Sequence, residues 1–514
     1  NPKPQTPNPK PQTPNPREWR GIYLLVFYRY QFFSILSDSM DYRPLETEND
    51  VQRENLNKLE QDSSFEINDN GAFLNTIENK YNYRKEELSV KTLSDKKSSK
   101  DPSQKSTATK AAINTFRSIV GTTFLAVPYL IRILGWKLFA PIFLFALITN
   151  LYGTHMLLSV ADRLGYYGAS YDKLMVFVFN RKWLMYLVRA MMVMSQILGV
   201  IGNNLFIIEV LLFIFCQQGL PDQYCKPRWV YVVMSFLISA PTYLIQNLSC
   251  YAYVSLASAI TACCIMAVLA LQSSHQLVKR EIYSAVNEAP QLDQIFIAFS
   301  VMYRSIQGVG MIMPIRSSME NVNSFKTVIQ FTTVLIAVIY LSTFMLVNAA
   351  FGSLIKPIVL LSFSKDYLVI FALTILYGLA IFLSYPINLF PIYTALLETS
   401  VFKEYIVAGE DKSAQETRTN QVNFLVRLLC ILTVYLGVAT NPSFIPFLGL
   451  VSSIFTTAFL FFIPLFLYDS LFSTSRSYSC AHRLFNWLYG LLLLVISIIG
   501  AKDSLLKMYS HRGE

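Results

Sequence analysis

Two short runs in this chain are poor helix formers set inside apolar sequence. The first is Gly121-Thr122-Thr123 with Pro128 behind it, within INTFRSIVGTTFLAVPYLIRILG at 113–135. The second is Ser305, Gln307, Gly308, Gly310 and Pro314, within QLDQIFIAFSVMYRSIQGVGMIMPIRSSMEN at 291–321. Gly and Thr form helix weakly, and Pro removes a backbone donor and clashes with the preceding turn. A break frees N–H and C=O groups, which persist in hydrocarbon only where protein buries them or a cavity opens on them. The chemistry on offer is ligand binding by main-chain dipoles, with N–H groups toward an anion and carbonyls toward a cation. Covalent chemistry is not. The chain has 7 cysteines and 4 histidines without metal-ligand spacing, and no HExxH, GxSxG, P-loop or Rossmann signature. No enzyme activity, resident metal or cofactor is expected. Cys216 and Cys225 are the pair placed in a short loop for a disulfide.

Other polar groups interrupt apolar sequence. Ser195, Gln196, Asn203, Asn204 and Glu209 fall within 186–215. Gln196 and Asn203 are seven apart and share a helix face. They either line a cavity or bond one helix to the next. Glu209 is a candidate titrating group for ion coupling, or it sits near the outer interface. Arg304 lies inside an apolar segment and wants an anion. It could read a substrate carboxylate, pair with Glu209 or snorkel to the surface. Arg117 reads as an anchor at the cytoplasmic end of its helix.

These groups need elements that hold them in a bilayer. The chain is 53% hydrophobic and 15% charged, with mean hydropathy +0.39. Soluble domains carry roughly 25% charge, so the composition is that of a polytopic membrane protein. Apolar segments at 113–134, 138–158, 186–215, 229–246, 250–272, 292–313, 327–350, 367–390, 424–440, 444–468 and 485–502 predict about eleven spans of hydrocarbon. The net charge of +10 belongs to cytoplasmic flanks, not to nucleic-acid binding. Lys and Arg are nearly balanced between the two sets of loops. The basic flank SDKKSSKDPSQKSTATK before the first span tips the excess to the side of the N-terminus, which is expected to be cytoplasmic.

Residues 1–110 read as a disordered tail, 111–502 as the membrane domain and 503–514 as a short C-terminal tail. The tail opens with NPKPQTP twice in succession, a heptad that a C-rich nucleotide repeat, AACCCCA, would encode. Residues 1–39 are therefore either outside the native coding sequence or an extended Pro-rich tail. WRGIYLLVFYRYQFFSIL at 19–36 would reach only ~27 Å as a helix and is not counted as a span. Tyr42-Arg43-Pro44-Leu45 fits a tyrosine-based sorting signal.

The two interrupted segments are the first and the sixth, five helices apart. If five helices repeat with inverted topology, the two are corresponding members. Gly/Pro interruptions at corresponding positions point to the binding site of a secondary transporter.

GTTFLAVPYLIRILGW at 121–136 resembles the first-helix motif of the amino acid/auxin permease family, and SIQGVGMIMPIRSSMEN at 305–321 resembles its sixth-helix motif. LVNAAFG at 346–352 and YPINLFPI at 385–392 are similar to the end of its helix seven and to its helix eight. The resemblance covers about 111–502. It implies an all-α LeuT-like fold, with five-plus-five inverted repeats and one extra helix. It also implies secondary transport of amino acids with a co-transported proton or sodium ion. A vacuolar, lysosomal or plasma membrane fits, with lipid around a functional monomer. The zwitterion would lie at the breaks. N–H groups near Thr122, Thr123 and Phe124 would take its carboxylate, and carbonyls near Ile119 to Gly121 and Ser305 to Gly308 its ammonium. Gln196 and Asn203 would face it, and Ser384 could ligate sodium. Two departures matter. Thr123 stands where the family commonly has Gly, and Gln307 where proton-coupled members often have Glu, which an amide cannot replace in a proton relay. The alternative function is an amino-acid sensor that signals through its N-terminal tail.

Overall fold

Both poor-helix runs break their spans. The computed structural model describes residues 107–166, 171–179, 181–216, 228–244, 251–278, 294–363, 368–383, 392, 412–440, 442–473 and 479–510. Helix α1 (Ala108–Ile119) gives way to an extended backbone at Val120 and Gly121. A 3₁₀ stretch, Thr122–Ala126, leads into α2 (Val127–Leu134), and the two halves bend by 54°. Pro128 falls in the first turn of α2, where a missing N–H costs little. The chain continues through α3 (Trp136–Arg163), α4 (Tyr171–Phe179), α5 (Lys182–Cys216), α6 (Arg228–Leu244) and α7 (Tyr251–Val278). The sixth segment is again two helices, α8 (Ile295–Ser305) and α9 (Val309–Ser318), parted at Ile306–Gly308. Then come α10 (Phe325–Phe351), α11 (Leu368–Leu383), α12 (Lys412–Ala439) and α13 (Phe444–Val451). Two π-helical turns join α13 to α14 (Ile463–Phe472), and α15 (Cys480–Ser510) is last.

Eight helices among the described residues are long and apolar enough to cross a membrane, or nine when the bent pair counts as one span. The expected fourth and eighth spans are present as shorter apolar helices, Arg228–Ser239 and Leu368–Leu383. This is an all-α polytopic membrane protein, described with fewer full-length spans than the eleven expected. The first helix starts at Ala108, just inside the expected tail. The last runs to Ser510, past 502, because AKDSLLKMYS carries no helix breaker. Residues 1–106, with Tyr42, and Ser384 lie outside the described residues.

Packing follows membrane rules. Leu425, Leu428, Leu432 and Leu436 on α12, and Leu484, Leu488, Leu491, Val495 and Ile498 on α15, are exposed at helical spacing. Soluble proteins avoid such apolar stripes, whereas lipid covers them. The polar ends sort into two levels. At one end Arg316 reaches Asp162 at 2.6 Å, Arg189 reaches Asp172 at 2.8 Å and Arg483 reaches Asp469 at 2.9 Å. At the other, Glu209 pairs with Arg228, and Arg132 Nη1 donates to the Ile355 carbonyl at 2.8 Å.

The two broken spans pack crosswise. α1 lies on α9, while the 3₁₀ stretch and α2 lie on α8. The first half of one span thus accompanies the second half of the other. The spans run antiparallel, with their breaks at one depth. α10 backs α1 and α2, and α5 crosses from α4 to α13, with α11 and α12 beside it.

Candidate functional site

The breaks touch each other. A β-carbon on Gly308 would come within 2.6 Å of Ser118 Oγ and 3.2 Å of Ile119 Cγ1, closer than a side chain allows. Gly121 is the opposite case. Among the described residues nothing lies within 4 Å of where its β-carbon would be, and the residue is exposed. The opening N–H groups of the 3₁₀ stretch, at Thr122 and Thr123, have no helical partner by position. The closing carbonyls of α1, Ile119 among them, are in the same state.

Span six meets the junction with a partly satisfied backbone. The Ile306 carbonyl accepts from Asn150 Nδ2 at 2.6 Å, and the Gly308 carbonyl from the Met311 N–H at 3.0 Å. The Arg304 carbonyl accepts from the Gln307 N–H at 3.3 Å. The carbonyls of Ser305 and Gln307 lie outside these bonds. Asn150 escaped the sequence reading, although an Asn within the apolar run of α3 was a usable signal.

One face of α5 spans both breaks. Gln196 Nε2 lies 3.8 Å from the β-carbon position of Gly310. Arg304 Nη2 lies 3.5 Å from that of Gly199. Asn203 Oδ1 accepts from Thr122 Oγ1 at 2.9 Å. Residues 196, 199 and 203 are the i, i+3, i+7 positions of a single stripe. Gln196 and Asn203 therefore line the junction. Asn204 is the interhelical bond: its Nδ2 donates to the Val200 carbonyl at 3.0 Å, and its Oδ1 accepts from Ser235 Oγ and Tyr435 OH, both at 3.1 Å.

The structure does not bring every expected group to the junction. The Ser305 hydroxyl donates to the Met302 carbonyl at 2.7 Å and is buried, so this residue offers only its backbone. Phe124 is fully buried, stacked on Tyr340 at 5.8 Å between centroids and edge-on to Tyr377 at 6.2 Å. Its ring is part of the wall behind the break. Thr123 is also buried, while Gln307 is half-buried beside Gly308. Arg117, expected near the membrane surface, sits in the last turn of α1 beside the break, because α1 stops at mid-span.

Glu209 pairs with Arg228 rather than with Arg304. Six residues separate Glu209 from Asn203, about 9 Å along the helix. Glu209 lines a separate cavity of about 330 Å³ at that end of the bundle, with Tyr129, Arg228, Gln294, Lys356 and Lys507. Among the described residues no group of three His, Cys, Asp or Glu side chains could hold a metal ion. What the junction can do is take a small zwitterion, with N–H groups from span one and carbonyls from both spans.

The sequence also matches known proteins. The family model for transmembrane amino acid transporter proteins matches residues 104–502. Vacuolar amino acid transporter 3 of Saccharomyces cerevisiae is 37% identical over 97 residues, 19% of this chain and 14% of that protein. Vacuolar amino acid transporter 3 of Schizosaccharomyces pombe is 27% identical over 160 residues, 31% of this chain and 23% of that protein. Vacuolar amino acid transporter 4 of S. cerevisiae is 22% identical over 184 residues, 33% of this chain and 25% of that protein. The chain thus spans a quarter or less of the length of these relatives. The family match covers most of the chain and both broken spans, and the protein belongs to the transmembrane amino acid transporter family.

Proposed function

We propose that this protein carries amino acids across a membrane by ion-coupled alternating access around the two breaks. The observation that carries the reading is the abutment of Gly308 on Ser118 and Ile119 beside the open space at Gly121. The substrate carboxylate sits on the free N–H groups that open the 3₁₀ stretch, at the positive end of the second half-helix. The ammonium sits on carbonyls of Ile119 to Gly121 and of Ser305 and Gln307. Gln196 and Asn203 close the site from α5. Each half-helix packs on a half of the other span, so rocking one pair against the other opens the site to either side in turn.

The site belongs to a bundle of eleven spans in two inverted five-helix repeats plus one, acting as a monomer. The N-terminus is cytoplasmic. The basic flank before α1 supports this, and so does Cys216 at the opposite end, which is disulfide-bonded. Disulfides persist on non-cytoplasmic faces. The names of the relatives support a vacuolar membrane.

Uptake of a labelled amino-acid panel into proteoliposomes, under imposed proton or sodium gradients, tests the reading. We expect uptake of at least one amino acid driven by one of the two gradients. Absence of gradient-dependent uptake across the panel refutes it.

A further inference from the structure

We infer that the substrate carries a second carboxylate and that the Arg304 guanidinium binds it. The inference rests on the transport reading and names the substrate class of that same site, an acidic amino acid.

Arg304 is in the last turn of α8, just before the break. Its Nη2 reaches α5 at Gly199, between Gln196 and Asn203 on the stripe that lines the junction. A β-carbon at position 199 would just touch the guanidinium, 3.5 Å from Nη2. Among the described residues no acid or carbonyl pairs with this guanidinium. The contrast with the other arginines is direct. Arg189, Arg228, Arg316 and Arg483 each hold a carboxylate, and Arg132 holds the Ile355 carbonyl. Glu209, the acid on the same helix as Gly199, is taken by Arg228.

An unpaired cation inside a membrane protein is costly, and a ligand anion removes the cost. The α-carboxylate and ammonium of an amino acid already have main-chain partners at the breaks. The guanidinium is left over, and its fork matches a carboxylate. The same sign prevails at the Glu209 end of the bundle, where the separate cavity is lined by Arg228, Lys356 and Lys507 against that one acid among the described residues, a field that attracts anions.

The test is uptake of labelled glutamate, aspartate, glutamine and asparagine by the full chain in proteoliposomes. We expect the acids to be preferred over their amides at least tenfold. Arg304→Gln should lower that ratio at least tenfold, and Arg304→Lys should keep part of it. A thermal-shift measurement on the detergent-solubilised wild type does not depend on any variant folding. Glutamate should raise its Tm and glutamine should not. Preference for amides or for basic amino acids, no glutamate-specific shift, or an equal loss of acid and amide uptake in Arg304→Gln each overturns the inference while transport itself stands. If the wild type moves no amino acid at all, the transport reading fails and this inference falls with it.

Discussion

Span one breaks at Gly121 with nothing among the described residues within 4 Å of its missing side chain, whereas span six breaks at Gly308 with Ser118 and Ile119 pressed against it. The sequence chemistry of the two breaks is alike, with glycine before a proline in an apolar segment. The physical consequence differs. One glycine leaves room for a ligand, and the other lets two half-helices meet. The arginines of the two spans extend the comparison. Every half-helix carries one in its last turn: Arg117, Arg132, Arg304 and Arg316. A cation is favoured there by the helix dipole. Arg132 and Arg316 close on protein oxygens at opposite ends of the bundle, while Arg304 points across the middle to a helix face without an acid. The two broken spans thus divide the labour between an open glycine and a contact.

The largest effect should come from filling the pocket. Gly121→Leu places a side chain at the proposed substrate site, in an extended backbone that leucine adopts without strain. Uptake should fall to background, with expression and Tm near those of wild type. Normal transport by a folded Gly121→Leu variant would remove the site from span one.

Alanine sharpens the same contrast. At Gly121 a methyl group meets open space, so the change in stability should stay within about 0.5 kcal/mol. At Gly308 it meets Ser118 Oγ and Ile119, and overpacking of that kind costs roughly 1–3 kcal/mol. Thermal denaturation of the two variants in one detergent compares them. Equal Tm values would mean that the two breaks are packed alike.

Much of this was legible in the sequence, and the limits have physical causes. The breaks follow from local chemistry, because Gly, Thr and Pro act on their own backbone wherever they sit. The five-helix offset then paired them before any contact was known. The stripe of Gln196 and Asn203 followed from helical period alone. Partners did not. Glu209 and Arg228 meet from two different helices, and no periodicity links them. Ser305 turns its hydroxyl to its own helix, as serines within helices do, so its residue type overstated its reach. Phe124 faces the core because the 3₁₀ stretch, and not an α-helix, sets its direction. Arg117 was misplaced by reading span one as a single helix with a charged end, when the helix stops two residues later. Gly199 carried no signal at all. Its value is the approach of Arg304 Nη2, 3.5 Å from its β-carbon position, which exists only in the folded chain.

The smallest expected effect belongs to the bond between the empty break and α5. Thr122→Val keeps the shape of the side chain and removes the donor to Asn203 Oδ1. A hydrogen bond of this kind is worth about 1 kcal/mol net, or about fivefold in an equilibrium constant. If Thr122 only positions Asn203, KM for the substrate should rise about fivefold at an unchanged maximal rate, and Tm should drop slightly. A rise several times larger would mean that the hydroxyl itself binds substrate. Span one would then supply a side chain as well as main-chain dipoles, and the division of labour between the two spans would be less sharp than the glycines suggest. No change in KM or Tm would mean that Asn203 is held by something other than Thr122, and that α5 reads the junction through Gln196 and Gly199.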